Sequence, residues 1–213
     1  PNVGPFIGKQ LIQRLVTSNP SPAYVSRVAA VFNDNGKGVR GDMAAVVKAI
    51  LMDPEARTSS LADGATYGKV REPLIRMTNW ARAFGAASSS GEFQITSTSA
   101  NTSLGQSPLT SPSVFNFYRP GYSPPNTRIG DANLLAPEFQ IVDEISVAGY
   151  LNTMQTTIDA GIGQTVNGAR DVRSAYAAEI AIADDPVALT DRMNLLLMNG
   201  RMPARLRTRV QDA

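Results

Sequence analysis

The chain has 213 residues, 43% hydrophobic, 7% aromatic and 18% charged, with 20 Lys and Arg against 18 Asp and Glu. That is enough apolar material for a packed core and too little net charge for a disordered chain, and no apolar run reaches the roughly 18–20 residues of a membrane span. The absence of Cys and His removes disulfides, thiolate nucleophiles, zinc–thiolate sites and the commonest general base, so no metal and no cofactor is implied.

Helical spacing dominates the N-terminal stretch. Ile7, Leu11, Ile12, Leu15 and Val16 line one face of a helix over about 5–17, which ends at Ser18-Asn19-Pro20 because a residue before proline is pushed out of the helical region. The opening residues already read as helix entry, which suggests a piece of a longer protein. Ser21-Pro22 reads as N-cap plus first-turn proline for a second helix carrying Val25, Val28, Ala29 and Phe32. Asp42 caps a third, with Met43, Val46, Val47, Ile50 and Leu51 at helical spacing. The intervening Asn33-Asp34-Asn35-Gly36 fails as a calcium loop, since Ala45 stands at its twelfth position where Glu is needed. Arg40-Gly41-Asp42 is too short a match to an adhesion signal to carry weight, and the Asp has the cap to make.

A fourth helix over about 71–85 presents Leu74, Met77, Trp80, Ala81 and Phe84. The character then changes. Residues 86–108, with Ser88-Ser89-Ser90-Gly91 and Thr96-Ser97-Thr98-Ser99, read as a long flexible polar loop with a short strand near 93–96. Asn101-Thr102-Ser103 matches a glycosylation acceptor there. Residues 109–136 form a Pro- and aromatic-rich connector. Helix resumes over about 137–160, with Phe139, Val142, Ile145 and Ala148 inward. Gly161 to Gly168 reads as a breaker, and three more helices follow at about 171–183, 186–198 and 203–212.

The last stretch holds Arg201, Arg205, Arg207 and Arg209 against Asp212, a local charge of +3 that leaves the rest of the chain at −1. The basic pI therefore belongs to one terminal segment and indicates no nucleic-acid partner. Contact of this segment with phosphate or anionic lipid is one reading, and an ordinary amphipathic terminal helix is the other.

The expected fold is all-α: an irregular bundle of about seven or eight helices in a single domain over 1–213, with a long polar loop and the Pro/aromatic connector. For chemistry, a Ser-His-Asp triad is excluded within the chain, and Ser107 lacks the glycines of a nucleophile elbow. Paired carboxylates remain, with Glu72, Asp131, Glu138, Asp143 and Glu144 as candidates by elimination. The segment Ser113-Val114-Phe115-Asn116-Phe117-Tyr118-Arg119-Pro120-Gly121-Tyr122 is the most unusual string. It reads either as a rigid aromatic platform for a sugar or peptide, or as a buried connector whose aromatics fill gaps between helices.

That string, with Pro112 before it, resembles the signature segment of the bacterial family called domain of unknown function 1800. Arg27-Val28-Ala29, Gly38-Val39-Arg40-Gly41-Asp42, Lys69-Val70-Arg71-Glu72-Pro73, Asn133-Leu134-Leu135-Ala136-Pro137-Glu138-Phe139-Gln140 and Asp191-Arg192-Met193-Asn194-Leu195-Leu196 agree with it. The resemblance runs nearly end to end and covers the C-terminal half of larger members. It implies an exported, extracytoplasmic bacterial protein, in a family whose genes commonly neighbour those of a second exported family, and it transfers no catalytic residues. The expectation is a non-catalytic helical module that binds another exported protein or a polysaccharide through Arg71, Glu72, Asn116, Phe117, Tyr118, Arg119 and Tyr122. The alternative is a carboxylate-based hydrolase of an extracellular polymer.

Overall fold

The computed structural model describes residues 2–95, 98 and 102–213. It divides into two compact units, each assembled from two separated stretches of chain: Pro1–Arg71 with Ser111–Asp143, and Glu72–Thr110 with Glu144–Ala213.

The first unit is built on α1 (Val3–Leu15), α2 (Pro22–Asn33) and α3 (Met43–Met52), followed by the single turn α4 (Pro54–Arg57). Local chemistry sets their starts. The Ser21 hydroxyl accepts from Tyr24 N, the Asp42 carboxylate from Ala45 N, and Asp53 from Glu55 N, which satisfies N–H groups that a helix leaves unpaired. Gly4 and Gly8, one turn apart on α1, let α2 approach closely: a Cβ on Gly8 would lie 3.1 Å from Val28 Cγ1. The core is Ile12, Tyr24, Val28, Val46 and Ile50. Around it, Arg27 grips Asp53 with a two-pronged ion pair at 2.7 and 2.8 Å, and the Tyr24 hydroxyl donates to Ile50 O. The loop before α3 is knotted by its own side chains. Asp34 Oδ1 accepts from Gly36 N and Gly38 N, and Asn35 donates to Asp42, which leaves the acidic groups engaged in turn-making.

The second unit contains α5 (Pro73–Ala83), β1 (Ala87–Ser88), α7 (Glu144–Ala160), β2 (Ile162–Val166), β3 (Ala169–Arg173), α8 (Ala177–Ile180), α9 (Pro186–Met198) and α10 (Ala204–Gln211); the intervening turn α6 (Arg128–Asp131) belongs to the first unit. Its core is Met77, Trp80, Leu104, Met154, Ile162 and Val172. The strands form an antiparallel sheet of order β1-β3-β2, with Ile162 opposite Val172, Val166 opposite Ala169 and Ala87 opposite Arg173.

This sheet corrects the expected all-α class: the protein is helix-rich with a small three-stranded sheet. The supposed breaker 161–168 is β2 and its turn, and the helix expected over 171–183 is the end of β3 followed by the short α8. The reason is local. Asn167 and Gly168 both take positive φ, 50° and 81°, which builds the tight turn whose twist suits a two-stranded ribbon. The strand expected near 93–96 lies earlier, at Ala87–Ser88, and Phe93 itself has φ 52°. Residues 96, 97 and 99–101, including the Asn of the glycosylation pattern, lie outside the described residues. The helix expected over 137–160 is a 3₁₀ turn at Pro137–Ile141 and then α7, and α7 is rotated from the expected facing. Ile145 is 68% exposed, whereas Ser146, Met154 and Thr157 are buried.

Candidate functional site

In the first unit, the aromatic segment is fastened down at its centre. Tyr118 is 1% exposed, and the Arg14 guanidinium lies 4.2 Å from its ring centroid. Gln13 Nε2 donates to Pro120 O at 3.2 Å and to Ser18 O at 3.0 Å. Downstream, the Asn19 side chain exchanges two bonds with the Leu135 backbone, both 2.9 Å. The Lys69 ammonium donates to Arg14 O at 2.8 Å and to the buried Glu138 carboxylate at 2.9 Å. Asn116 and Phe117 are half-buried, Tyr122 likewise, and the Arg119 side chain is exposed while its N–H donates to Gln140 Oε1. Arg71 ends this unit's first stretch and is exposed. Glu72 belongs to the second unit, where its carboxylate accepts from Gln106 Nε2 at 2.5 Å. Five of the seven residues singled out thus lie along one strap, with Tyr118 sealed inside.

Another concavity lies within the second unit. A groove of about 1320 Å³ runs between α7 and the end of the hairpin, lined by Leu151, Asn152, Gln155, Ile158, Asp159, Arg173, Ser174 and Tyr176 among others. A recess of about 340 Å³ shares Asn152 and Gly161 with it and is walled by Ser103, Thr153, Thr157 and Arg170. The helical repeat explains the lining: Asn152, Gln155, Thr156 and Asp159 fall at i, i+3, i+4 and i+7, on one face of α7. Gly161 lets the hairpin close on the end of that helix, since a Cβ there would stand 2.5 Å from Arg173 Cγ and 2.7 Å from Val172 O. Tyr176, at φ 49°, accepts from Trp80 Nε1 at 3.0 Å and donates to Ile158 O at 3.2 Å, which fixes its ring at one wall.

Polar groups in this groove are left open. Among the described residues, the side chains of Asn152, Gln155, Asp159 and Arg173 have no hydrogen-bond or ion-pair partner. The Ser174 hydroxyl is buried and unpaired. Beside them, Leu151 and Ile158 are 60% and 49% exposed. The lining supplies amide, guanidinium, carboxylate and hydroxyl groups together with apolar contact surface. It supplies one carboxylate, where two-carboxylate hydrolysis needs a facing pair. Among the described residues, no group of three or more His, Cys, Asp or Glu converges as a metal site, and no helix is long and apolar enough to cross a membrane. Of the acidic candidates, Glu138 and Glu72 are engaged as above, and Asp131, Asp143 and Glu144 are exposed.

The family described as Protein of unknown function (DUF1800) matches residues 1–213. The chain belongs to it. No curated protein and no solved structure matches the chain. For this DUF1800 member the sequence pointed to the strap and passed over the groove. Asn152, Gln155 and Asp159 look like a solvated helix face in isolation, and Arg173 and Ser174 fell in a segment expected to be helical. The signal available was the Asn167-Gly168 turn, which would have folded Arg173 back toward α7.

Proposed function

We propose that this DUF1800 chain is a non-catalytic binding module of an exported bacterial protein, and that the groove between α7 and the hairpin takes a neutral polysaccharide. The observation that carries this reading is the row of unpaired side chains on one wall, Asn152, Gln155 and Asp159, facing Arg173 and Ser174. Sugars offer adjacent hydroxyls that both donate and accept, and planar amide, carboxylate and guanidinium groups can meet two of them at once. The C–H faces of a sugar ring suit Leu151, Ile158 and the Tyr176 ring. One carboxylate and one guanidinium leave the groove without the strong single-sign field that a polyanion would require. The groove, at about 1320 Å³, exceeds the roughly 300–1,000 Å³ of a small-molecule pocket, which favours several linked sugar units.

Affinity electrophoresis through gels containing soluble glucans, mannans or xylans tests the reading. Retarded migration in at least one gel is expected. With each hydrogen-bonding side chain contributing about 0.5–1.5 kcal/mol, Asn152→Ala with Gln155→Ala should weaken retention about tenfold. No retardation in any gel, or retardation that the double variant leaves unchanged, overturns it. Capture of a purified protein partner by a surface that these two substitutions do not affect also counts against it.

A further inference from the structure

The recess beside the polysaccharide groove has a chemistry of its own. At about 340 Å³ it stands at the foot of the roughly 300–1,000 Å³ range of ligand sites, which suits one sugar unit and its substituent rather than a chain. It is continuous with the groove, since Asn152, Thr156 and Gly161 line both. α7 supplies Thr153, Thr156 and Thr157 from its last two turns, at i, i+3 and i+4. Gly149 lets the opposite wall, Thr102 and Ser103, lie against that helix, because a Cβ there would stand 3.1 Å from the Thr102 backbone.

Charge in the recess is balanced. Among the described residues, no carboxylate lines it, and its one cation, Arg170, already donates to Gly163 O at 2.8 Å. The recess also lies at the C-terminal end of a 17-residue helix, where the macrodipole presents partial negative charge. An anion is opposed by that helix end and a cation by Arg170, so a neutral group is favoured.

Donor and acceptor roles are set by the helix. The Thr156 hydroxyl donates to Asn152 O at 3.0 Å, which leaves its oxygen to accept. Thr157 is 2% exposed and lines the recess, and its hydroxyl has no partner among the described residues, so it is free to donate. Beside them the wall carries the hydrocarbon of the threonines and of Ile162. An N–H, a carbonyl and a methyl are the three parts of an acetamido substituent, and they suit Thr156, Thr157 and that hydrocarbon in turn. A bare sugar hydroxyl would serve the first two and leave the hydrocarbon against water.

We infer that the recess takes the acetamido group of an N-acetylhexosamine, which narrows the ligand to N-acetylated polymers; this rests on the groove being a polysaccharide site. N-acetylchitotetraose and cellotetraose share ring and linkage and differ only in an acetamido group or a hydroxyl on each sugar. Titration calorimetry of the full chain with each isolates that substituent, and the acetylated sugar is expected to bind about tenfold more tightly. In saturation-transfer spectra its acetyl methyl protons should receive more magnetisation than its ring protons. Thr157→Val, which keeps the side chain's shape and removes the hydroxyl, should erase most of the preference. Should that variant fail to fold by circular dichroism, the two sugars on the unaltered protein decide alone. Cellotetraose binding as tightly as the acetylated sugar, weaker transfer to its methyls than to its rings, or a preference that folded Thr157→Val retains overturns the acetamido assignment and leaves the groove reading standing. Tighter binding of tetragalacturonate than of either sugar shows Arg170 prevailing over the helix end and also overturns it. Binding of none of the three overturns the groove reading with it.

Discussion

Asp171 shows how one side chain can organise a stretch that looks structureless in the sequence. It is buried in β3, and its carboxylate accepts from the hydroxyls of Ser88, Ser89 and Ser90 and from Ser90 N, all within 2.8 Å. The Ser89 bond is the strongest influence and, with those from Ser88 and Ser90, outweighs burial and holds the carboxyl far below the ordinary carboxylate range. The folded protein thus prefers the ionised form more than the unfolded chain does. The resulting stabilisation is complete above the unfolded value of about 3.9 and is lost as pH falls through the lower folded value. Asp171→Asn should lower the urea midpoint at pH 7, and the gap to the unaltered protein should narrow as pH falls below about 4. A gap of constant size across that range would refute the account. At the strap, neighbouring residues should differ sharply. Tyr118 is sealed against Arg14, so Tyr118→Ala should cost about 3–5 kcal/mol, whereas Arg119→Ala, with its side chain in water, should stay within about 0.5 kcal/mol. Denaturant titration of the two variants separates a buried connector from an exposed platform.

Among the elements, those with chemical punctuation were legible. Ser21-Pro22 and Asp42 each marked a helix start that the structure has within a residue, because a capping side-chain oxygen, joined in the first case by a first-turn proline, does local work that no tertiary partner can veto. The hairpin was not legible from periodicity. Gly161 and Gly163, at φ 87° and 95°, interrupt the alternation that would announce β2, and the run is only five residues long. α7 misled for another reason. It buries Ser146 and Thr157 and leaves Ile145 and Leu151 outside, so its apolar spacing indicates the wrong face. The candidate groove was obscured by the same two errors, since it is made where that helix face meets the hairpin end. The turn remains the decisive local feature of this region. At φ 81°, Gly168 occupies a conformation that an L-residue enters at a cost of about 1–2 kcal/mol. Gly168→Ala should lower the melting temperature accordingly, while Gln164→Ala, half-buried in β2, should have the smaller effect. Equal losses from both would mean that the turn does not set the register.

At the scale of the molecule, neither unit is a continuous piece of sequence. The first needs 111–143 to complete what 1–71 begins, and the buried pair of Lys69 and Glu138 joins those two stretches at 2.9 Å, with side chains only 17% and 2% exposed. Such a pair is costly to desolvate, and here it is imperfectly compensated, because Glu138 Oε2 is buried without a partner. The attraction therefore contributes less than its depth suggests, but breaking it from one side leaves a lone charge in the interior. Glu138→Ala should cost about 3–5 kcal/mol, and Lys69→Met with Glu138→Leu should recover most of that loss by replacing both charges with hydrocarbon. The recovery should be incomplete by roughly the value of one hydrogen bond, about 1 kcal/mol, because Arg14 O also loses the Lys69 donor. Urea unfolding of the single and double variants measures all three quantities. If the double variant is as unstable as Glu138→Ala alone, the pair is an indispensable weld between the two stretches, and packing of Tyr118 and the proline-rich strap does not suffice to hold them together.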